Sequence, residues 1–373
     1  MKILILSCST GEGHNSAAKA IMDSLIAKGA ECEFIDPICF KSKKTMNAVS
    51  GAYNNLIRKA PWLFGIIYKL GQIYDFLRLP SPVAYANSKY SEPFSKYIEE
   101  KGFDAVVSTQ LFAMQAMVAV REKHGIRIPV YCVMTDYTVI PFHKDSKTLD
   151  VQFASTEKGK QTLIKKGIEP EKICVSGIPV NPKFNIDMTK SEAKAKLGIP
   201  ENKKVITILS GGAGCGNMIK LCKKMEKALG SEHLICVLPG KNEKLKSKLD
   251  KEFGTNEKIK VVGFTRDTHI YMKASEVVLS KPGGLTSTEI AVANRPFVHL
   301  KAIPGCESYN IKYFTSKGIS LPGKTINSAV KQTLRLLNDT DLAEDVMQKQ
   351  REHIPSNAAD IIAKKVLEEI SVK

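Results

Sequence analysis

No apolar run in this 373-residue sequence approaches the roughly 20 residues that a membrane-spanning helix needs. The opening Met1–Ser7 is apolar but too short for a secretory signal peptide, and it predicts a buried first strand. We therefore expect the protein to remain in the cytoplasm. The chain is 43% hydrophobic and 25% charged, as globular proteins are, and its length predicts two domains.

Metal-ligand spacing is also missing. The nine cysteines include no C-x-x-C pair, and the seven histidines are equally dispersed. Several cysteines lie inside apolar runs, which is typical of reduced, buried thiols. These features indicate neither a disulfide framework nor a structural zinc site, and we expect no metal.

Acidic residues are scarce between Lys41 and Tyr90, where Asp75 is the only one among eight basic residues. The chain as a whole has a formal net charge of +17, which favours an anionic partner. Basic and aromatic residues together are typical of segments that bind the surface of an anionic membrane. The residues that we assign to such a surface are Lys43, Lys44, Arg58, Lys59, Trp62, Phe64 and Tyr68.

The same segment has two further interpretations. It could be a helical insertion whose aromatic residues pack on the domain. It could also bind nucleic acid, although no RNA- or DNA-binding motif accompanies the charge, and we expect no nucleic-acid partner.

Apolar strand-like runs alternate with amphipathic helical ones, a pattern typical of parallel sheets covered by helices. The predicted strands are Lys2–Ser7, Cys32–Ile35, Asp104–Ser108, Val130–Met134, Val151–Ala154 and Ile173–Val175, then Val205–Leu209, Leu234–Leu238, Ile259–Val262, Val277–Leu279 and Phe297–Leu300. A turn-rich joint, Pro179–Pro182, separates the two series. We predict an α/β protein of two Rossmann-like domains, residues 1–180 and 190–345, which face a deep cleft. Residues 346–373 predict a C-terminal helix that could pack back on the first domain.

The stretch Ser280–Glu289 follows a predicted strand and opens a predicted helix through Lys-Pro-Gly-Gly. Such a turn leaves backbone N–H groups unpaired at the positive end of the helix dipole, a site for a phosphate or diphosphate. Glu289, about one turn into the helix, could accept two hydrogen bonds from a ribose diol. An ordinary strand–turn–helix corner also fits the local pattern.

The loop after the first strand contains Gly11 and Gly13, which permit a tight turn before a helix. His14 would then lie near the helix N-terminus, where the dipole lowers the pKa of an imidazole. A neutral histidine there suits a general base, although a capping role is open. Asp136, after the strand Val130–Met134, could orient His14 or an acceptor hydroxyl, or cap a turn.

Two more loops add polar candidates. Gly211 and Gly212 belong to a second glycine loop, a weak match to a dinucleotide fingerprint and a better one to a turn that faces a diphosphate or sugar. Glu307 and Asn310 are three residues apart, as on one face of a helical turn, and could bind neighbouring sugar hydroxyls.

In chain order, these loops resemble those of the diacylglycerol glycosyltransferases. That family comprises the monogalactosyldiacylglycerol synthases and the processive diacylglycerol glucosyltransferases, relatives of the MurG enzyme in glycosyltransferase family 28. The segments that carry the resemblance are Gly11–His14, Thr135–Tyr137, Ser176–Val180, Gly263–Thr265, Lys281–Gly284, Glu289 and Pro304–Asn310. The resemblance runs from residue 1 to about residue 320 and implies the GT-B fold.

The resemblance implies an inverting transfer of glucose or galactose from a UDP-sugar to diacylglycerol. The implied donor-binding residues are Gly211, Gly212, Gly263, Phe264, Gly283, Gly284, Thr286, Ser287, Glu289, Glu307 and Asn310. Among them, Gly263 and Phe264 would bind uracil, Glu289 the ribose, Gly283 to Ser287 the diphosphate, and Glu307 and Asn310 the hexose.

In the first domain, His14 and Asp136 would deprotonate the acceptor hydroxyl, and Gly13 would lie beside the acceptor. Residues 41–90 would dock on the membrane. The resemblance implies no cofactor and no divalent cation, because a helix N-terminus can stabilise the departing UDP. It also implies a peripheral protein on the cytoplasmic face of the membrane.

One residue departs from the family pattern: Cys306 stands where many relatives have glutamine. A thiol hydrogen-bonds sugar hydroxyls poorly, so the donor sugar stays open. The sequence also fits a UDP-GlcNAc-dependent transferase of cell-wall lipid intermediates, like MurG, or a non-catalytic protein that binds a nucleotide sugar or nucleic acid. An epimerase would need several carboxylates in the cleft, which the sequence does not indicate.

Overall fold

The computed structural model describes residues 1–8, 11–77, 79–211 and 217–371 and divides into two units. The first unit consists of Met1–Asn181, Pro304–Cys306 and Asn357–Lys373, and the second of Pro182–Ile303 and Glu307–Ser356. Among the described residues, no helix combines the length and the hydropathy that crossing a membrane requires.

The first unit contains a six-stranded parallel sheet in the order β2-β1-β3-β4-β5-β6. Its strands are β1 (Lys2–Leu6), β2 (Glu31–Ile35), β3 (Ala105–Ser108), β4 (Val130–Val133), β5 (Val151–Ala154) and β6 (Ile173–Val175). Its helices are α1 (Glu12–Ile26), α2 (Lys43–Lys59), α3 (Pro61–Phe76), α4 (Pro82–Ser88), α5 (Ser91–Lys101), α6 (Leu111–His124), α7 (Glu157–Lys165) and, at the end of the chain, α16 (Ala358–Ser371).

The second unit contains another six-stranded parallel sheet, in the order β12-β11-β10-β7-β8-β9. Its strands are β7 (Lys204–Leu209), β8 (His233–Leu238), β9 (Ile259–Val261), β10 (Ser275–Ser280), β11 (Phe297–His299) and β12 (Leu321–Pro322). Its helices are α8 (Lys190–Lys196), α9 (Met218–Ala228), α10 (Glu243–Phe253), α11 (Thr268–Ala274), α12 (Gly284–Val292), α13 (Cys306–Ser316), α14 (Ile326–Asn338) and α15 (Thr340–His353).

The sheets confirm the predicted α/β class and each of the predicted strands to within two residues. The strands form at these positions because the central ones are continuous apolar runs, and a parallel sheet buries such strands on both faces. In β1, for example, Ile3, Leu4, Ile5 and Leu6 are fully buried. The sequence pattern missed the two-residue strand β12, whose pairing with β11 extends the second sheet.

The C-terminal segment differs from the single helix predicted over 346–373. Helix α15 continues through that boundary to His353, and α16 begins only at Ala358. Within the first unit, α16 packs on α1, and Lys28, just after α1, forms an ion pair with Asp360 at 2.5 Å. Its apolar face, which includes Ile362, joins the core beneath the first sheet.

Candidate functional site

Each sheet has one switch point, where the chain crosses from one side of its first strand to the other. In the first unit this point lies between β1 and β3, and in the second unit it lies between β7 and β10. Ligands of open α/β sheets bind outside the carboxyl ends of the strands at such points. The segments that follow these strands contain His14, in the first turn of α1, and Thr109 in the first unit. In the second unit they contain Gly211 and Lys281.

His14 lies in the first turn of α1, and two threonines hold its ring in place. Its Nδ1 is 3.0 Å from the carbonyl oxygen of Thr109 and 2.8 Å from Oγ1 of Thr135. The carbonyl can only accept, so Nδ1 carries the proton and donates it. The other ring nitrogen, Nε2, is then an unprotonated acceptor, which is the form that a general base requires.

Burial lowers the pKa of His14 below its ordinary value, and the hydrogen bond to Thr109 opposes this shift only in part. The imidazole is therefore neutral at pH 7. The lowered pKa agrees with the expectation for His14, but its main cause is burial of the ring, whereas the sequence pointed to the helix dipole. The roles of Thr109 and Thr135 were not predicted, and their only signal in the sequence is that each residue follows a strand.

A concave site surrounds His14 at this edge of the first sheet. It contains about 390 Å³ of empty space, including open solvent, and both His14 and Asp136 line it. Asp136 is half-buried, and its backbone carbonyl accepts a hydrogen bond from Ser155. Apolar side chains such as Met114 and Ile140 complete the wall. The site therefore combines a neutral base and a carboxyl group with an apolar lining.

Helices α2 and α3 form a basic and apolar surface on the first unit. The basic residues Lys43, Lys44, Arg58 and Lys59 are exposed, and no residue of α2 is buried. Helix α3 exposes the apolar side chains Trp62, Leu63, Ile66, Ile67, Leu70, Ile73, Tyr74 and Phe76, of which Trp62 is 65% and Phe76 84% exposed. We define these exposed residues of α2 and α3 as the apolar–basic surface.

Three residues of this segment point inward instead. Phe64 and Tyr68, which we assigned to the membrane surface, are half-buried, and Phe64 packs edge-on against Tyr53 of α2. Asp75 is buried and forms ion pairs with Lys144 and Lys166. Burial raises the pKa of Asp75, but the two ammonium groups outweigh it and hold the pKa below its ordinary value. The only acidic residue of the segment is thus neutralised away from the surface.

In the second unit, the start of α12 presents free backbone donors. Among the described residues, the N–H groups of Gly284, Leu285 and Thr286 have no hydrogen-bond acceptor. The N–H of Gly283 donates to the carbonyl of Lys281, and that of Ser287 donates to the carbonyl of Gly283. Three unpaired donors at the positive end of a helix form a site for an anion such as a phosphate.

Ser287 does not face this anion site. Its side chain is fully buried, and Oγ lies 2.9 Å from Nε2 of His299, whose Nδ1 is 2.7 Å from Oγ of Ser320. Burial lowers the pKa of His299 to about 3, so the ring is neutral. The hydroxyl that we assigned to the diphosphate therefore fixes α12 to the sheet, whereas the side chain of Thr286 is half-exposed.

Glu289 lies one turn further along α12 and is half-buried. Burial raises its pKa to about 8, and the nearby ammonium group of Lys183 opposes this rise in part. Lys183 also donates to the carbonyl of Arg266 at 2.8 Å, which connects the start of the second unit to the loop after β9. A carboxyl group held at this pKa can ionise when a ligand supplies hydrogen-bond donors.

The loop after β9 contains Gly263 and Phe264. The Phe264 ring is 53% exposed, with the ammonium group of Lys241 5.7 Å from its centre. Within the described ranges, the backbone N–H and C=O of Phe264 make no hydrogen bond. The exposed ring can stack on the face of a planar base, and the free backbone N–H and C=O groups can hydrogen-bond to its edge.

The remaining candidates are more constrained than expected. Asn310 is fully buried, and its amide donates to the carbonyl of Pro282 at 3.0 Å, so it supports the loop before α12. Glu307 is bound to Lys281 and to a backbone N–H. Gly212 lies outside the described residues. Within the described ranges, no group of three or more His, Cys, Asp or Glu side chains is placed to hold a metal ion.

Two family models match the chain, one over each unit. The model described as monogalactosyldiacylglycerol (MGDG) synthase matches residues 14–180. The model described as glycosyl transferases group 1 matches residues 189–353.

Curated relatives match over nearly the full length. The processive diacylglycerol beta-glucosyltransferase of Bacillus pumilus is 27% identical over 374 residues, covering 99% of this chain and 95% of the relative. The protein of the same name from Bacillus subtilis is 24% identical with the same coverage. One from Bacillus cereus is 28% identical and covers 91% of this chain and 86% of its own.

Solved structures share the fold at low identity. The S. aureus MnaA–UDP structure has a TM-score of 0.67 at 14% identity, covering 100% of this chain and 97% of that one. MurG of Acinetobacter baumannii has a TM-score of 0.63 at 15% identity, with 98% and 99% covered. Anabaena HepE in complex with UDP and glucose has a TM-score of 0.57 at 15% identity, with 99% and 100% covered. These likenesses establish the GT-B class of fold.

Proposed function

Because the chain belongs to the family of monogalactosyldiacylglycerol synthases and processive diacylglycerol glucosyltransferases, we propose that it transfers a hexose from a UDP-sugar to diacylglycerol. The observation that carries the proposal is the agreement of sequence and geometry at the two switch points. One unit offers a neutral base beside an apolar wall, and the other offers an anion site beside a carboxyl group and an exposed ring.

The second unit would bind the donor. Phe264 and its free backbone groups receive the uracil, and Glu289 receives the two ribose hydroxyls. The diphosphate lies on the N–H groups of Gly284, Leu285 and Thr286. As the sugar leaves, negative charge develops on the diphosphate, and oriented backbone donors stabilise it without a metal ion. Solved GT-B structures that contain UDP support this assignment.

The first unit would activate the acceptor. Nε2 of His14 accepts the proton of the acceptor hydroxyl, whose oxygen forms a bond to the anomeric carbon of the sugar. The bond from that carbon to the diphosphate breaks, UDP departs with the electron pair, and the configuration inverts. Thr109 and Thr135 hold the required tautomer, and Asp136 stabilises the imidazolium that forms.

Glucose is the sugar that we propose. The curated relatives are named beta-glucosyltransferases, and a β-product from an α-linked UDP-sugar requires inversion. The likeness to epimerase structures concerns the fold alone, since those chains are 13–14% identical.

The apolar–basic surface would bring the enzyme to its acceptor. Its exposed aliphatic and aromatic side chains suit the acyl region of a bilayer, and its lysines and arginines suit anionic headgroups. The inward Asp75 leaves this surface without a negative charge of its own.

A donor-by-acceptor screen tests the proposal. UDP-glucose, UDP-galactose and UDP-GlcNAc are each incubated with the purified protein and with diacylglycerol in mixed micelles, and the lipid is analysed by mass. We expect a hexose adduct of diacylglycerol with UDP-glucose. Transfer only from UDP-GlcNAc, or no glycolipid from any donor, would contradict it.

A further inference from the structure

Lys281 and Glu307 form an ion pair at the carboxyl edge of the second sheet. Nζ of Lys281 is 3.0 Å from Oε1 of Glu307, and the two side chains are only 15% and 14% exposed. The other carboxylate oxygen, Oε2, accepts a hydrogen bond from the N–H of Ile303 at 2.8 Å. Because both oxygens are engaged and little water reaches them, the pair is held more firmly than a surface ion pair.

The side chain of Lys281 crosses the switch point of the sheet. Gly211, shortly after β7, has a φ of +64°, and a Cβ built on it would be 2.7 Å from Cε of Lys281. The positive φ favours glycine there, and the flexible side chain of Lys281 passes close over it. Lys281 also stands three residues before Gly284, the first of the free N–H donors of α12.

We propose that Glu307 is the resting counterion of Lys281, and that the diphosphate of a UDP-sugar displaces it. The inference rests on the proposed function. The phosphate oxygens take the ammonium group, and the released carboxylate accepts hydrogen bonds from sugar hydroxyls. When UDP binds without a sugar, no hydroxyl donates a hydrogen bond to the released carboxylate of Glu307. The negative charges of the carboxylate and the diphosphate then repel each other.

The exchange makes the site selective for the intact donor over free UDP. A UDP-sugar offers partners to both members of the broken pair, whereas UDP offers a partner to Lys281 alone. After transfer, Glu307 returns to Lys281 and weakens the hold on UDP, so the same pair promotes product release. Lys281 is thus the cation that binds the leaving group, and Glu307 competes with the diphosphate for its ammonium group.

The test is calorimetric titration of the full chain with UDP, UDP-glucose and uridine. In Glu307→Gln, Lys281 has no counterion to leave, so we expect UDP to bind about fivefold more tightly than to the wild type. UDP-glucose should lose affinity, because an amide replaces the carboxylate that accepts from the sugar. The ratio of the two dissociation constants should shift by about tenfold or more.

Glu276→Gln is the matched control. Glu276 pairs with Lys190 at 2.5 Å in the same unit, at the start of β10, so the variant also removes one negative charge and one ion pair. UDP affinity should not change in this variant. An equal gain in both variants would reduce the effect to net charge and overturn the proposal.

Lys281→Met tests the other member of the pair. We expect UDP to bind at least tenfold more weakly while uridine binding is unchanged, with Lys281→Arg restoring most of the UDP affinity. Uridine binding serves as the folding check. Undiminished UDP binding by Lys281→Met, or no gain in Glu307→Gln, would overturn the proposal. Wild-type binding of UDP without glycolipid synthesis would contradict the proposed function and leave this inference intact, whereas no UDP binding by the wild type would contradict both.

Discussion

Replacement of Glu289 by glutamine should remove a pH dependence from UDP binding. The carboxyl group has a pKa of about 8 because burial disfavours its charge. Two hydrogen bonds from a ribose diol favour the ionised form of Glu289. UDP should therefore bind to the protein in which this carboxyl group is ionised, with release of its proton. At pH 7 about one-tenth of the groups are ionised, and at pH 8.5 about three-quarters are. Wild-type affinity should therefore rise about eightfold over this interval, in which the phosphates of UDP are already ionised.

Calorimetry in two buffers of different ionisation enthalpy measures this directly. Near pH 7 we expect close to one proton to be released per UDP bound by the wild type and none by Glu289→Gln. The affinity of the variant should be weaker at pH 8.5 and independent of pH. A wild-type affinity that is flat from pH 7 to 8.5, with no proton release, would refute the assignment of Glu289 to the ribose.

The same shift has a consequence for the stability of the unliganded protein. The pKa is raised on folding, from 4.5 to about 8, so this contribution is fully present below pH 4.5 and is lost as the pH rises through 8. Glu289→Gln should therefore be more stable than the wild type at pH 9, by roughly 2 kcal/mol once partial exposure is allowed for. Thermal unfolding at pH 6 and pH 9 measures the difference.

Two further predictions concern the first unit. His14→Gln should lower kcat by about 10²- to 10⁴-fold and leave UDP affinity unchanged, because the base acts only on the acceptor; full turnover would exclude His14 from the mechanism. Leu70→Glu with Phe76→Glu should weaken binding to anionic vesicles by at least tenfold, measured by co-sedimentation, with the exposed Lys317→Glu as a control for net charge. Equal losses in both variants would show that charge alone drives the binding.

The strands and the loops that follow them were predictable, because continuous apolar runs such as Lys2–Leu6 identify buried parallel strands without tertiary information. Because His14 and the start of α12 each follow one of these strands, the sequence also predicted that they lie at the edges of the sheets. The local pattern therefore predicted which segments lie at the carboxyl ends of the strands, and the assignment of binding sites to them stays a prediction.

The directions of individual side chains were not predictable. Ser287 and Thr286 are adjacent and chemically alike, yet only Ser287 meets the buried His299, which comes from a different strand. The Lys281–Glu307 pair likewise depends on how α13 packs beside the loop after β10. Such contacts join residues separated in sequence, so no local periodicity encodes them.

In the basic segment of residues 41–90, the directions of the side chains were likewise not predictable. Its basic residues identified a surface, but the outward positions of Leu70 and Phe76 and the inward position of Asp75 follow from the packing of α3. Helix α3 is apolar on most of its circumference, so its periodicity alone did not separate a buried face from an exposed one.

The most direct measurement is the product formed from UDP-glucose and diacylglycerol, with the anomeric configuration determined by NMR. The account predicts β-glucosyldiacylglycerol and an equal amount of UDP, formed by the wild type and nearly absent with His14→Gln. An α-linked product, or conversion of the UDP-sugar without transfer to the lipid, would contradict it.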